Sequence, residues 1–145
     1  MIQRIQSLWL FLAGIFCAGT LYFDLYKWQF DATTFISPKL LRVNDNYISL
    51  LIVLICTILP IVAIFMFKNR KKQKRISIIS IIINLIFIGT VLLREQMEKP
   101  LKPMPISGTY MIGSLLPAFS IVFLFLAISG INKDEKLVKS IDRLR

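Results

Sequence analysis

The chain has 145 residues, of which 56% are hydrophobic and 18% are charged, and its formal net charge is +10. A typical soluble chain carries charge at about a quarter of its positions. All 26 charged residues of this chain lie outside four charge-free stretches, 5–23, 47–67, 76–93 and 106–131, which together hold 84 residues. This distribution excludes a soluble enzyme, a disordered tail and a disulfide-stabilised secreted domain. It predicts four membrane spans.

The four stretches have the length expected of transmembrane helices, since about 20 helical residues cross a hydrocarbon core of about 30 Å. The stretches 5–23 and 47–67 fit this length, 76–93 is short, and 106–131 is long enough to tilt, bend or protrude. The many isoleucines of 76–93 favour a strand, but a lone strand in lipid leaves its backbone groups unpaired. The predicted fold is therefore an all-α membrane protein, a single four-helix domain over residues 1–145.

Lysine and arginine residues are unevenly distributed between the connecting segments. The N-terminus, the 68–75 segment and the tail after Ile131 hold twelve of them, whereas the segments 24–46 and 94–105 hold six. Cytoplasmic segments carry the excess of Lys and Arg, so both termini are predicted to be cytoplasmic. The four tyrosines and Trp28 fall at the opposite interface, where amphipathic rings are favoured.

Reactive groups are scarce in this sequence. It has no histidine, and its two cysteines, Cys17 and Cys56, lie within predicted spans. Without histidine the chain lacks the commonest general base and the usual ligands for haem and zinc. Proton relays and ion-coupled transporters normally need an ionisable group at membrane depth, and the charge-free stretches supply none. We therefore expect no catalysis, no cofactor and no metal, and we expect the cysteines to stay free.

A polar face is predicted on the third span. Its members, at positions i, i+3 and i+7 of a helix, are Ser77, Ser80 and Asn84. The favoured interpretation is hydrogen bonding between helices, which contributes about 0.6 kcal/mol per bond in membranes. The alternative is a small polar binding site that lines a transport pathway together with Thr57.

The segment between the second and third spans is strongly basic. Its charged residues are Lys68, Arg70, Lys71, Lys72, Lys74 and Arg75. We interpret it as a cytoplasmic turn that sets the topology and attracts anionic lipid headgroups. No aromatic residues are interleaved for stacking on bases, so we expect no nucleic-acid partner.

The outer segment 24–46 permits two interpretations. Tyr26, Trp28 and Phe30 alternate with polar residues, a pattern typical of a short strand. Residues 32–36 then supply the returning strand of a hairpin. Alternatively, the segment is a loop along the membrane interface with its aromatic rings among the headgroups.

The tail 132–145 is predicted to form a short amphipathic helix of its own. Asn132 is positioned to cap it, with Glu135 three residues later as in a capping box. The apolar stripe of this helix is formed by Leu137, Ile141 and Leu144. This stripe is expected to lie on the inner leaflet, on the basic segment or in a groove of a partner protein.

Both ends of the chain carry a family resemblance. The opening residues Met1–Ser7 and the closing residues Asp134–Arg145 resemble an uncharacterised family of small four-span inner-membrane proteins of Bacteroidota, known as a domain of unknown function. The resemblance implies a bacterial cytoplasmic membrane and four helices. It implies no activity.

The two ends are predicted to meet in one cytoplasmic patch, because the charge count places both on the same side of the membrane. The specific hypothesis is an ion pair between Arg4 and Asp142. The patch, acting as an internal lock or a docking site, comprises Arg4, Leu137, Ile141, Asp142, Arg143, Leu144 and Arg145.

The function that follows is that of a non-catalytic accessory, assembly or scaffold subunit in a larger bacterial inner-membrane complex. Membrane lipids and that complex are the expected partners. The alternative is a small oligomeric transporter or channel. A lipid-modifying enzyme is disfavoured, because the outer carboxylates show no motif spacing; they are Asp24, Asp31, Asp45, Glu95 and Glu98.

Overall fold

The computed structural model describes the backbone of residues 3–30, 37–67, 69–101, 105 and 107–143, and the side chains of residues 5–30, 37–67, 69–101, 105 and 107–136. Helices dominate this part of the chain, and three short strands lie between them. In chain order the elements are α1 (Gln3–Gly19), β1 (Tyr26–Gln29), β2 (Lys39–Leu41), α2 (Tyr47–Phe65), α3 (Arg70–Met97), β3 (Ser107–Tyr110) and α4 (Ile112–Arg143), with a 3₁₀ turn at Val43–Asp45.

Three helices in the described residues are long and apolar enough to cross a membrane. Their spans are Tyr47–Phe65, Arg70–Met97 and Ile112–Lys136. The apolar part of α1, Ile5–Gly19, is shorter than the roughly 20 residues that a crossing needs. The prediction of a mostly helical chain with helices suited to a membrane is confirmed.

The helices form a ring in which each helix packs against its neighbours in the chain, and α1 packs against α4 to close the ring. The outer surface is apolar: the side chains of Leu51, Leu85 and Phe125 are more than half exposed, whereas Asn84 and Ser120 inside the ring are fully buried. A soluble bundle shows the reverse distribution. This distribution is typical of helices that face lipid and pair their polar groups with one another.

Consecutive helices run in opposite directions, so the bundle has two distinct ends. The sheet end carries the three strands and the 3₁₀ turn, where α1 and α3 end and α2 and α4 begin. The basic end carries the start of α1, the turn before Arg70 and the segment of α4 that contains Lys133 and Lys136.

An antiparallel three-stranded sheet covers the sheet end, so the prediction of an all-α fold is wrong. β1 is the central strand and pairs with β2 on one side and β3 on the other, with Tyr26 opposite both Leu41 and Tyr110. Tyr26 and Trp28 are buried, so the interpretation of their rings as lying among the headgroups is also wrong. The strand predicted from their alternation is present at Tyr26–Gln29. The proposed returning strand at residues 32–36 lies outside the described residues.

The start of α4 differs from the prediction, because Ser107–Tyr110 forms β3 instead of the first turns of the fourth helix. Gly108 permits this pairing, since the Tyr26 ring occupies the space where a Cβ atom would lie. The amide of Met111 then donates to Leu25 O at 3.0 Å and fixes the start of α4 against the sheet. The excess length of the stretch 106–131 is therefore taken up by a strand.

The polar ends of α3 and α4 also differ from the prediction. The basic segment is mainly helix, because α3 begins at Arg70, where Asn69 Oδ1 accepts a hydrogen bond from Lys72 N at 3.2 Å. α4 continues through Asn132 to Arg143, so a separate tail helix is wrong. Continuing an existing helix pairs backbone groups without a new nucleation cost, which favours extension over a second start at Asn132.

Candidate functional site

Polar side chains lie inside the bundle at three levels. At the sheet end they centre on Arg94, in the middle on Asn84, and at the basic end on Asp134. All three residues are at most 7% exposed. Buried polar groups are costly unless they are paired, so each level indicates either a structural link or a binding site.

The level at the sheet end is a link between α2, α3 and the sheet. Arg94 Nε donates to Glu98 Oε1 at 2.6 Å and Nη2 donates to Glu98 Oε2 at 3.3 Å. Nη1 donates to the Arg42 backbone oxygen at 3.0 Å and to Ser49 Oγ at 3.2 Å. The guanidinium group thus joins three segments that are distant in sequence, and its contacts are those of a structural link.

The rim of the sheet carries further charged contacts. Arg42 Nε donates to Asp24 Oδ1 at 2.6 Å, and this hydrogen bond raises the pKa of Arg42. Lys39 Nζ lies 5.3 Å from the centre of the Trp28 ring and donates to Glu98 O at 3.1 Å. These exposed contacts contribute little to stability, because solvent screens the charges.

Two phenols of the sheet end are held in their neutral form. Tyr110 donates to Glu95 Oε2 at 2.5 Å, and this hydrogen bond raises the pKa of Tyr110 to about 12. Burial raises the pKa of Tyr26. Both phenols therefore act as hydrogen-bond donors at neutral pH, and neither is activated as a nucleophile.

The middle level joins α1, α3 and α4. Cys17 Sγ lies 3.2 Å from Asn84 Oδ1 and 3.1 Å from Ser120 Oγ. Asn84 Nδ2 donates to Ser80 O within α3 at 2.9 Å, and Ser80 Oγ is buried without a hydrogen-bond partner in the described residues. Cys17 and Cys56 are both free and buried. Side chains from three helices therefore meet at Asn84, one of the three residues of the predicted polar face.

The other residues of the predicted polar path bond within their own helices. Ser77 Oγ donates to Gln73 O at 3.0 Å, and Thr57 Oγ1 donates to Val53 O at 2.9 Å. Ser77 is fully buried with Ser80 and Asn84 on the inner face of α3, whereas Thr57 is partly exposed. Whether these residues bind a solute stays a prediction.

The level at the basic end is the candidate binding site. Gln6 Nε2 donates to Asp134 Oδ2, and Arg70 Nη1 donates to Asp134 O at 2.6 Å. Asp134 is 5% exposed, and its second carboxylate oxygen, Oδ1, is buried without a hydrogen-bond partner in the described residues. A cavity of about 270 Å³ lies beside it between α1 and α4. The residues that shape it include Ile5, Gln6, Trp9, Leu126, Lys133 and Asp134.

Arg94 and Asp134 were assigned to water by the charge pattern, yet both continue an inward-facing stripe at steps of three and four residues. On α4 the stripe consists of Ser120, Leu124, Ala127, Ile131 and Asp134. On α3 it consists of Asn84, Phe87, Val91 and Arg94. Extending the helical period past the charge-free stretches would have placed both residues inside.

The remaining predicted residues divide into two groups. Lys71, Lys72 and Arg75 are exposed on the first turns of α3, and Arg70 and Lys74 are partly buried. Lys68 lies outside the described residues, as do the side chains of the predicted terminal patch, including Arg4 and Asp142. Anionic-lipid binding and the ion pair between Arg4 and Asp142 stay predictions.

A family model matches residues 2–144 of the chain, and its description is Domain of unknown function (DUF4293). The chain belongs to this family. The resemblance inferred from the two ends of the sequence is thereby confirmed as far as membership of a family of unknown function. No curated protein and no solved structure matches the chain.

Proposed function

We propose that this DUF4293 protein is a non-catalytic, multi-pass protein of the bacterial cytoplasmic membrane and an accessory, assembly or scaffold subunit of a larger complex. The observation that carries the proposal is the use of interior polar groups for packing. The Arg94 guanidinium and the Asn84 amide are bonded between chain segments, and Phe87 and Leu124 fill the interior beside them. Such an interior favours a rigid membrane component over a wide pore through one bundle.

The proposed topology has four spans with both termini in the cytoplasm. α1 has 17 residues and rises about 25 Å, and a hydrogen-bonded turn over Thr20–Tyr22 extends it toward the interface. The excess of Lys and Arg at the basic end supports a cytoplasmic location for that end. The exposed rings of Tyr22 and Tyr47 lie at the sheet end, where interfacial aromatic residues are favoured.

Single-cysteine labelling tests this topology. In a chain with Cys17 and Cys56 replaced by alanine, we expect a membrane-impermeant maleimide to label Asn44→Cys in intact spheroplasts. Gln3→Cys and Lys71→Cys are expected to react in inverted vesicles only. Labelling of Gln3→Cys from the same side as Asn44→Cys would show that α1 does not cross and would contradict four spans.

Purification from native membranes tests the scaffold role. We expect the chain, extracted in mild detergent, to migrate at fixed stoichiometry with one membrane complex. Leu137→Ser with Ile141→Ser should reduce this association about tenfold or more, because the change removes the predicted apolar docking stripe. Ser140→Ala is the matched control within the same tail and should leave the association intact.

The transporter alternative predicts a different result from the same preparation. Solute flux by the purified chain in vesicles, lost on Asn84→Leu and accompanied by no fixed-stoichiometry complex, would contradict the scaffold proposal. The variants are compared only where the chain inserts and elutes as a single species, so that a folding defect is not read as a loss of binding.

A further inference from the structure

The cavity at the basic end combines an apolar wall with charged groups on one side. Ile5 and Leu126 are 57% and 42% exposed, and together with Trp9 they line the part of the cavity that opens to the apolar outer surface of the bundle. Lys133 and Asp134 line the part beyond Ile131, where the charge-free stretch of the sequence ends. Apolar walls at membrane depth and charges at its boundary match the polarity profile of one phospholipid molecule.

Asp134 indicates which headgroup fits. Its Oδ2 accepts from Gln6, while Oδ1 is buried and without a partner in the described residues. An ionised carboxylate accepts hydrogen bonds only, and leaving a buried acceptor unpaired is costly. The unpaired oxygen therefore requires a hydrogen-bond donor, and a positively charged N–H donor would form the strongest bond.

Trp9 does not form an aromatic cage of the kind that binds a quaternary ammonium group. One face of its ring stacks on Phe123, with the ring centres 5.8 Å apart and the planes 16° apart. Binding of a methylated ammonium relies on open aromatic faces, whereas a primary ammonium group supplies N–H bonds. The side chains therefore favour the primary ammonium group.

We propose that this cavity binds the headgroup of phosphatidylethanolamine, with its ammonium group donating to the Asp134 carboxylate and its phosphate near Lys133. A volume of about 270 Å³ suits a headgroup and not a whole lipid, so the acyl chains lie in the bilayer along Ile5 and Leu126. The site differs from the basic segment at Arg70–Arg75, for which the prediction is attraction of anionic lipids through charge alone. It does not depend on the proposed scaffold role.

Graded N-methylation of the lipid tests the proposal on the unmodified chain. The full-length protein is incubated with equimolar phosphatidylethanolamine and its mono-, di- and trimethylated forms, and bound lipid is counted by native mass spectrometry. Occupancy is expected to persist through the dimethyl form and to fall about tenfold at the trimethyl form, because only this last step removes every N–H donor. Equal occupancy across the series would overturn the proposal.

Two acid-to-amide variants at neighbouring positions test whether Asp134 is responsible for the preference for the ethanolamine lipid. Asp134→Asn should lose the preference for the ethanolamine lipid, whereas Glu135→Gln removes one charge at a neighbouring position that does not line the cavity and should keep it. Retention of the preference in Asp134→Asn would contradict the assignment. If Asp134→Asn does not fold, the methylation series on the unmodified chain decides by itself.

A competition experiment distinguishes a free amine from a lipid as the occupant of the cavity. Free phosphoethanolamine carries the same ammonium group and a phosphate monoester, without acyl chains. It is expected to leave bound phosphatidylethanolamine in place at equimolar concentration, since it lacks the contacts along Ile5 and Leu126. Displacement of the lipid at that concentration would overturn the lipid as the occupant.

Discussion

Replacing Arg94 with methionine is expected to lower the free energy of unfolding by about 2 kcal/mol or more, because the partly buried Glu98 carboxylate and two further acceptors lose their charged donor. The side chain of Arg94 is 8% exposed, and that of its partner Glu98 is 32% exposed. The substitution also leaves the Arg42 backbone oxygen and Ser49 Oγ without their donor. Methionine fills a similar volume, so the loss reports on charge and hydrogen bonding more than on packing.

The measurement uses the fact that the two tryptophans lie at opposite ends of the bundle. Trp28 is 2% exposed within the sheet, whereas Trp9 lines the cavity at the basic end. In a Trp9→Phe background, denaturant titration in detergent micelles followed by Trp28 fluorescence therefore reports on the sheet end.

The matched control for this prediction is Arg42→Met. Arg42 makes an ion pair with Asp24 at 2.6 Å, but its side chain is 57% exposed. The same substitution there should change the free energy of unfolding far less than Arg94→Met does, because solvent screens an exposed ion pair. Similar losses at Arg94 and Arg42 would contradict the role assigned to the buried guanidinium group.

Replacing Gly113 with alanine is expected to destabilise the junction between α4 and the sheet by about 3 kcal/mol, at the upper end of typical overpacking costs. A Cβ atom at this position would lie 2.5 Å from Asp24 O and 2.7 Å from Phe23 O. Both obstacles are backbone atoms, and Gly113 N donates to the same Asp24 oxygen at 3.2 Å. The clash can be relieved only by moving the chain that leads into β1.

Gly89→Ala provides the matched control in another membrane-length helix. A Cβ atom there has no heavy atom within 4 Å, outside its chain neighbours and its own helix backbone. The change should be neutral or stabilise the helix by up to about 1 kcal/mol, because alanine has the higher helix propensity. The unfolding midpoint that Trp28 fluorescence reports should therefore be lowered by Gly113→Ala only. Equal midpoints for the two variants would contradict the close approach.

Helix placement was largely predictable from the sequence, and the candidate site was only partly so. α2 begins at Tyr47, where the predicted span begins, because Asn46 caps a continuous apolar run. Asn84 was predicted on an inner polar face from spacing alone, but its contact with Cys17 was not, since the two residues are 67 positions apart. Asp134 was assigned to a separate tail helix because charge was used to mark the end of the span.

The sheet shows why local patterns are insufficient. Alternating residues over 26–31 were compatible with a strand or a loop, and a strand is present at Tyr26–Gln29. One of its partners, Ser107–Tyr110, comes from the segment between α3 and α4. The absence of charge within 106–131 was compatible with a helix over the whole stretch. Pairing with β1 instead makes Ser107–Tyr110 a strand. Strand pairing depends on a partner distant in sequence, so hydropathy along the chain does not specify it.

The sequence by itself determined that the chain is built from apolar helices with charges confined to their ends, because lipid requires each helix to satisfy its own backbone hydrogen bonds. The tertiary structure alone decided which groups the enclosed polar side chains contact: Arg94 contacts the Arg42 backbone oxygen, and Asp134 contacts the Gln6 amide. These contacts depend on how segments far apart in sequence pack together. Hydropathy measures only the affinity of each segment for lipid.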